Sequence, residues 1–293
     1  MKIMKQGLKD FIKKMIPDSI YLMYSFKKQM KYSLNLRKPK TFDEKLQWLK
    51  LYNRNPLYAT LVDKYAVKKW VADKIGEQYI IPTLGVWNKF DDIDFDKLPN
   101  QFVLKCTHDS GGLIIVRNKS EFDVVSARQK LTKCLKRNFY WQSREWPYKN
   151  VSPRIIAEPY MEDTTYRELR DYKFYTFNGK PKFLLIAKGR QCNQKTFDYF
   201  DMDFNHIDLQ DEGVPNSLNA PEKPICFEEM KNMSKILSEG IPHVRVDFYE
   251  INGKVYFGEM TFFDAGGFMK AKPISWEIEW GNLIDLSRCR CEH

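Results

Sequence analysis

Two stretches of alternating polar and apolar residues, 243–250 and 254–261, flank Asn252-Gly253. That dipeptide strongly favours a two-residue hairpin turn, so the pair predicts two adjacent antiparallel strands. What the strands carry constrains the fold more than any other feature. A strand period of two puts Arg245 and Asp247 on one face of the first strand, and Glu259 and Thr261 on one face of the second. The hairpin brings these faces together, with Val, Phe and Met on the other side. Two carboxylates, a guanidinium and a hydroxyl set among apolar neighbours need a partner, and Mg²⁺ with its hard oxygen ligands suits them. The plainer reading is a solvated sheet face with a surface Arg–carboxylate pair, worth about 0–1 kcal/mol.

Further strands are expected at 80–87, 101–106, 114–117, 154–160, 170–177 and 181–187 from their alternation and flanking turn residues. Thr41-Phe-Asp-Glu44 matches a capping box, and the spacing predicts helices over 42–53, 56–75, 121–139 and 226–239. The fold class is α+β with mostly antiparallel strands. In Phe102-Val-Leu-Lys-Cys-Thr-His-Asp-Ser-Gly-Gly112, a lysine at a strand end precedes a small, glycine-paired loop. A point charge beside approachable backbone N–H groups suits a phosphate, although a lysine before an ordinary hairpin turn reads the same way. Ile155-Ile-Ala-Glu-Pro-Tyr-Met161 is an apolar strand ending in a glutamate, which by itself demands no chemistry.

The formal charge of +10 is unevenly placed. Residues 1–41 hold eleven Lys and Arg against two acids, whereas the remaining 252 residues hold 37 against 36. A nucleic-acid binder usually carries its basic patch on the folded body too, so none is expected as a partner. Met4, Leu8, Phe11, Ile12 and Met15 follow helical spacing between lysines and stop before Pro17. This amphipathic helix either lies on an anionic membrane surface or packs on the body with its lysines solvated. The longest clean apolar run is Phe183–Ala187, far short of the ~18 residues of a membrane span. The six cysteines show no framework spacing, which points to a reducing compartment. The tail Cys289-x-Cys291-x-His293 could hold a soft metal, or be incidental. No signal peptide is expected.

The order of these pieces is more specific than any one of them. Together with Lys40-Thr-Phe-Asp-Glu-Lys-Leu-Gln-Trp-Leu-Lys50, Leu61-Val-Asp-Lys-Tyr65, Asp171-Tyr-Lys-Phe174 and Phe257-Gly-Glu-Met-Thr261, it resembles the ATP-grasp superfamily, and most closely its TupA-like, teichuronopeptide-biosynthesis branch. The resemblance implies two α+β lobes clamping a nucleotide, after a basic helical arm (1–41) and a helical region (42–100). The small lobe would be 101–160 with the phosphate loop, and the large lobe 161–293 with the Mg²⁺-binding hairpin.

The resemblance also implies residue roles. Lys105 would hold the α/β-phosphates with help from Lys64, and the loop from His108 through Ser110, Gly111 and Gly112 would close over the triphosphate. Glu158 would open the hinge that receives adenine, where the Pro159 carbonyl and the Met161 amide flank Tyr160. Asp171 would take a ribose hydroxyl. Lys173 or Lys188 would be the further basic residue near the phosphates. Asp247 and Glu259 would bind Mg²⁺, and Arg245 would stabilise charge on the moving phosphoryl group. Thr261 stands where the family commonly has Asn, a better ligand, which leaves a second Mg²⁺ open.

The implied activity is an ATP- and Mg²⁺-dependent carboxylate–amine ligase working through an acyl phosphate. Its substrates would be small or polymer-linked, in cell-surface polymer or polysaccharide synthesis, on the cytoplasmic side. Peripheral contact with the inner face of the plasma membrane through residues 1–31 is a further expectation. Arg144, Glu145 and Tyr148 sit where an acceptor could pass. Two other classes stay open. Asp201-Met-Asp203 is a D-x-D pattern, as nucleotide-sugar glycosyltransferases use, and the basic arm also suits a nonenzymatic membrane-surface adaptor.

Overall fold

The computed structural model describes residues 13–189 and 195–289. Most of the expected helix over residues 4–15 lies outside them, as do Cys192, Cys291 and His293. The helices are α1 (Asp18–Met30), α2 (Phe42–Tyr52), α3 (Leu57–Val62), α4 (Ala66–Ile75), α5 (Val124–Leu135), α6 (Tyr140–Ser143), α7 (Phe227–Leu237) and α8 (Ser275–Leu283). The first strands are β1 (Gly85–Trp87), β2 (Phe102–Cys106), β3 (Leu113–Val116) and β4 (Ile155–Pro159). They form a four-stranded sheet in the order β1-β4-β2-β3. Then follow β5 (Asp171–Phe177), β6 (Lys180–Lys188), β7 (Thr196–Phe200), β8 (His206–Ile207), β9 (Gln210–Asp211), β10 (His243–Ile251), β11 (Lys254–Thr261) and β12 (Ala271–Lys272). A six-stranded sheet runs β11-β10-β5-β6-β7-β8, and β9 pairs with β12. Every described pairing is antiparallel.

Each sheet has its own core. Phe102, Leu104, Cys106, Ile155 and Ala157 of the small sheet pack on Ala127, Leu131 and Cys134 of α5 and on Phe90, Ile93 and Leu98. The larger core joins β5, β6, β10 and β11 to α7 on one side and to α2 and α8 on the other. Trp280 of α8 is its aromatic centre, with ring centroids 4.7 Å from Tyr175, 4.8 Å from Phe183 and 5.2 Å from Phe42. The helical stretch 42–100, read from the sequence as one region, is divided: α2, α3 and α4 belong to the large core, whereas 90–98 belongs to the small one.

The capping box opens α2 as expected. Thr41 Oγ1 accepts from the Glu44 amide at 3.1 Å, and a Glu44 carboxylate oxygen accepts from the Thr41 amide at 3.2 Å. Gly281 of α8 packs directly on this corner, where an added Cβ would stand 2.1 Å from the Lys40 carbonyl oxygen. The expected single helix over 56–75 is broken at Asp63–Tyr65. Asp63 Oδ1 accepts from the Tyr65 and Ala66 amides and starts α4 afresh. Its other oxygen is held by Arg154 at 2.6 Å. The break turns the Lys64 amide onto the Thr107 carbonyl, 3.1 Å away across the lobes. Strands β7 to β9, β12 and helix α8 are not in the sequence reading.

Under the α2–α8 contact lie two buried acids. Glu277 Oε2 accepts from the Asp43 amide at 3.3 Å. Burial, with Glu44 and Asp211 nearby, pushes the Glu277 carboxyl up from 4.5 to about 7; burial and Glu277 raise Asp43 as well. An acid raised by folding costs stability once the unfolded chain can ionise. The Glu277 cost therefore grows as pH rises from 4.5 towards 7 and is complete above it. Glu277→Gln keeps an acceptor and drops the charge. Urea denaturation should find it more stable than the parent at pH 8, by up to about 3 kcal/mol, with the gain vanishing below about pH 4.

Candidate functional site

A cleft of about 310 Å³ opens between the two sheets, lined by Lys64, Lys68, Lys105, Asp109, Ser110, Gly112, Glu158, Asp171 and Glu259 among others. A second hollow of about 260 Å³ adjoins it, lined by Ile81, Val103, Ile115, Pro159, Tyr160, Met161 and Leu169. Ile81, Lys105, Leu113, Glu158, Asp171 and Tyr249 line both, so the two are ends of one cavity, one charged and one largely apolar. Such a division suits a ligand with a flat apolar head and an anionic tail.

At the charged end, β2 delivers Lys105 and β4 delivers Glu158. Lys105 and Lys68 each approach one Glu158 oxygen at 2.5 Å. Lys68 also donates to the Ile81 carbonyl and the Thr83 hydroxyl, both at 2.8 Å. Burial alone would raise the Glu158 carboxyl, but the two lysines outweigh it and hold it below the usual range. Burial lowers Lys68. The loop between β2 and β3 is folded by Asp109, whose Oδ1 accepts from the Gly111 and Gly112 amides at 3.1 and 2.8 Å. Arg137 holds the other Asp109 oxygen at 2.8 Å. Lys64 donates to the Asp109 carbonyl at 2.9 Å and stands 3.6 Å from Glu259, so it touches both walls.

Behind Glu259 lies a network of buried charges. Cross-strand register puts Asp247 opposite Lys173 on one side and opposite Glu259 on the other. Arg245 grips Asp247 through Nε at 2.7 Å and Nη2 at 2.8 Å, and Lys173 pairs with the same carboxylate. Arg245 also pairs with Asp264, donates to Thr261 Oγ1 at 3.1 Å and reaches Glu259 at 3.5 Å. Burial would lower the guanidinium, but Asp247 and Asp264 raise it well above its ordinary value. Burial would likewise raise Asp264, and Arg245 brings it below the carboxylate range. The register slips between Asp247 and Phe248, leaving Gly258 as the extra residue of a β-bulge. An added Cβ at Gly258 would sit 3.0 Å from the Asp247 carbonyl oxygen.

The structure thus brings Lys64, Lys105, Ser110, Gly112, Glu158, Asp171 and Glu259 to the charged end, and Pro159, Tyr160 and Met161 to the apolar end. It places others differently. His108 is buried and points away from the cleft, its Nε2 3.1 Å from the Cys134 and Arg137 carbonyls. Gly111 does not line the cleft, and its amide serves Asp109. Lys173, Arg245, Asp247 and Thr261 stand behind the cleft wall, and the Thr261 hydroxyl accepts from Arg245. Asp201 caps its own turn, accepting from the Asp203 and Asn205 amides at 2.9 and 2.8 Å, so the D-x-D pattern is a turn. Arg144 and Glu145 are buried rather than open to an acceptor.

Lys68 and Asp264 are absent from the sequence reading, and Asp109 enters it only as part of the loop, with no role of its own. Their roles arise from contacts with Glu158, the loop amides and Arg245, and no local pattern marks them. The network separates two acids that the sequence treats alike. Asp247→Ala leaves Arg245 and Lys173 without their shared counter-ion and should cost about 3–5 kcal/mol in urea denaturation. Glu259→Gln, at the cleft, should change stability by less than about 1 kcal/mol.

Among solved structures, the chain is similar to D-alanine–D-alanine ligase from Bacillus anthracis complexed with ATP (17% identity, TM-score 0.40). The match covers 69% of this chain and 55% of that one, so the chain spans little more than half of that enzyme's length. It is also similar to the Helicobacter pylori D-alanine–D-alanine ligase (16% identity, TM-score 0.43), covering 83% of this chain and 69% of that one. The third is the D-cycloserine synthetase DcsG (14% identity, TM-score 0.43), at 79% and 71% coverage. A comparison with curated proteins gives no match. The family model for TupA-like ATP-grasp proteins matches residues 44–285, a span that runs from the capping box of α2 past α8 and takes in both lobes and the whole cleft: the chain belongs to the TupA-like ATP-grasp family.

Proposed function

We propose that the protein is an ATP-dependent carboxylate–amine ligase of cell-surface polymer or polysaccharide synthesis, working on the cytoplasmic side. The observation that carries this reading is the two-ended cavity. Its apolar end, walled by Val103, Ile115, Tyr160 and Met161, suits a purine, and Lys64, Lys68 and Lys105 line the charged end, where phosphates would lie. The ATP-binding part of the reading follows family membership. The amide bond and the polymer are the further step.

Of the expected metal ligands, Glu259 alone stands at the cleft and fits Mg²⁺. Glu259 presents a hard carboxylate at the cleft, with Asp247 next to it across the strand pair. Glu259 would hold the ion, which when bound neutralises phosphate charge and orients the transferring group. Asp247 has both oxygens engaged by Arg245 and Lys173 and would join it only by giving up those partners. Thr261 is likewise committed to Arg245.

In the proposed reaction a substrate carboxylate oxygen attacks the γ-phosphorus, the bond to the β–γ bridging oxygen breaks, and ADP leaves. The amine then attacks the acyl carbon of the acyl phosphate, inorganic phosphate departs, and the nitrogen loses its proton. The protein supplies positioning and charge, and the route needs no nucleophilic Ser or Cys. Lys105 changes partner from Glu158 to phosphate oxygens, and Lys68 keeps Glu158 from standing as an unpaired buried charge. Lys64 ties the loop to Glu259, so it senses both walls of the loaded cleft. Arg245, held by Asp247 and Asp264, acts from behind Glu259 as a fixed positive charge.

Mg²⁺–ATP at about 100 times its dissociation constant adds ~2.7 kcal/mol, so the thermal midpoint should rise by roughly 5–10 °C. Lys105→Ala should abolish the rise. A rise with a nucleotide sugar and none with ATP would instead favour a transferase. Screening acids paired with amines for ADP release tests the ligase step, and Glu259→Gln should lower that release at least about 100-fold, as removing a charge-stabilising group does.

A further inference from the structure

Residues 18–30 carry an apolar stripe that only half enters the core. Leu22 and Phe26 of α1 are fully buried, whereas Ile20, Met23 and Tyr24 are 53%, 43% and 68% exposed. At 100° per residue these three share a face with Lys27 and Lys28, which are also exposed. Lys31 follows at the helix end, and Lys14 and the 71% exposed Met15 precede it.

The one acid between residues 13 and 31 is turned inward. Asp18 accepts from Tyr140 Oη at 2.5 Å and stands 3.4 Å from the buried Arg144 and 3.5 Å from Arg54. Charge is therefore sorted across the helix: the carboxylate faces the body, and the lysines face out beside apolar side chains. The face is also rigidly presented. Arg144 lies 4.5 Å from the Tyr21 ring, Tyr21 donates to the Gln142 carbonyl at 2.8 Å, and Phe26 packs edge-on to Tyr32.

We infer that this face of α1 docks on an anionic lipid bilayer. Ile20, Met23 and Tyr24 would enter the headgroup boundary, with the lysine ammonium groups among the lipid phosphates. Charge complementarity selects this occupant. A second copy of the chain would bring the same lysines against each other, whereas an anionic surface satisfies all of them at once. No helix among the described residues is long and apolar enough to cross a membrane, so the contact is peripheral. On its buried side α1 meets the segment after β11, the Phe26 and Phe268 ring centroids lying 6.3 Å apart.

Co-sedimentation of the full chain with vesicles tests it. Binding is expected to vesicles containing phosphatidylglycerol and not to phosphatidylcholine alone, and should weaken as salt rises. Each lysine near the surface is worth about fivefold in partitioning, so Lys27→Ser with Lys28→Ser should weaken binding roughly 25-fold. Ile20→Ser, Met23→Ser and Tyr24→Ser together should remove it, with the thermal midpoint and its response to Mg²⁺–ATP unchanged. Deleting residues 1–12 should leave binding detectable. Equal binding by the parent and the serine variants, or binding lost with residues 1–12 alone, would overturn the inference. So would self-association that the triple variant abolishes while vesicle binding persists.

Discussion

The large lobe is organised around four charges largely withdrawn from water. Lys173, Asp247 and Arg245 are buried, and Asp264 is half-buried beside them, on β5, β10 and the loop after β11. An ion in such a place is tolerable only when countered, so each member fixes the positions of the others. Two cations face two carboxylates, and Thr261 and Glu259 take the remaining guanidinium contact. Strand register, the bulge at Gly258 and the course of the chain through Asp264 all have to be right at once for this set to close.

The same economy of pairing operates across the lobes. Glu158 comes from the small sheet and Lys68 from a helix of the large core, so their pair is a bond between lobes as well as a feature of the cleft. Lys64 adds a second tie through Asp109 and Glu259. The cleft floor is thus held by the groups proposed to meet phosphate. A ligand that draws Lys64 away from these partners would alter the lobe-to-lobe contacts, a direct route by which occupancy could adjust lobe closure.

Much of this was legible in advance. The hairpin about Asn252-Gly253, the strand carrying Lys105, the strand ending at Glu158 and the capping box at Thr41 all rest on local rules, and each appears within a residue or two of its expected bounds. The short strands β7 to β9 were missed because two- to five-residue pieces hardly display a period. Asp63 was read as helix interior because its cap contacts, and the pull of Thr107 on the Lys64 amide, lie outside any sequence window. His108 stood in the right loop but turned inward, since a side chain beside a glycine pair can face either way and the Cys134 and Arg137 carbonyls decide it.

By itself the sequence determined the strands that carry the site, which faces bear charge, and the basic bias of the first 41 residues, because period and composition are local properties. Only the tertiary structure decided which charges meet. It put Asp247 behind the wall and Glu259 at it, gave Lys68 to Glu158 and Asp264 to Arg245, and split the apolar stripe of α1 between core and surface. Those outcomes depend on burial and on partners many residues away, where the cost of an unpaired buried charge, rather than any local preference, selects the arrangement.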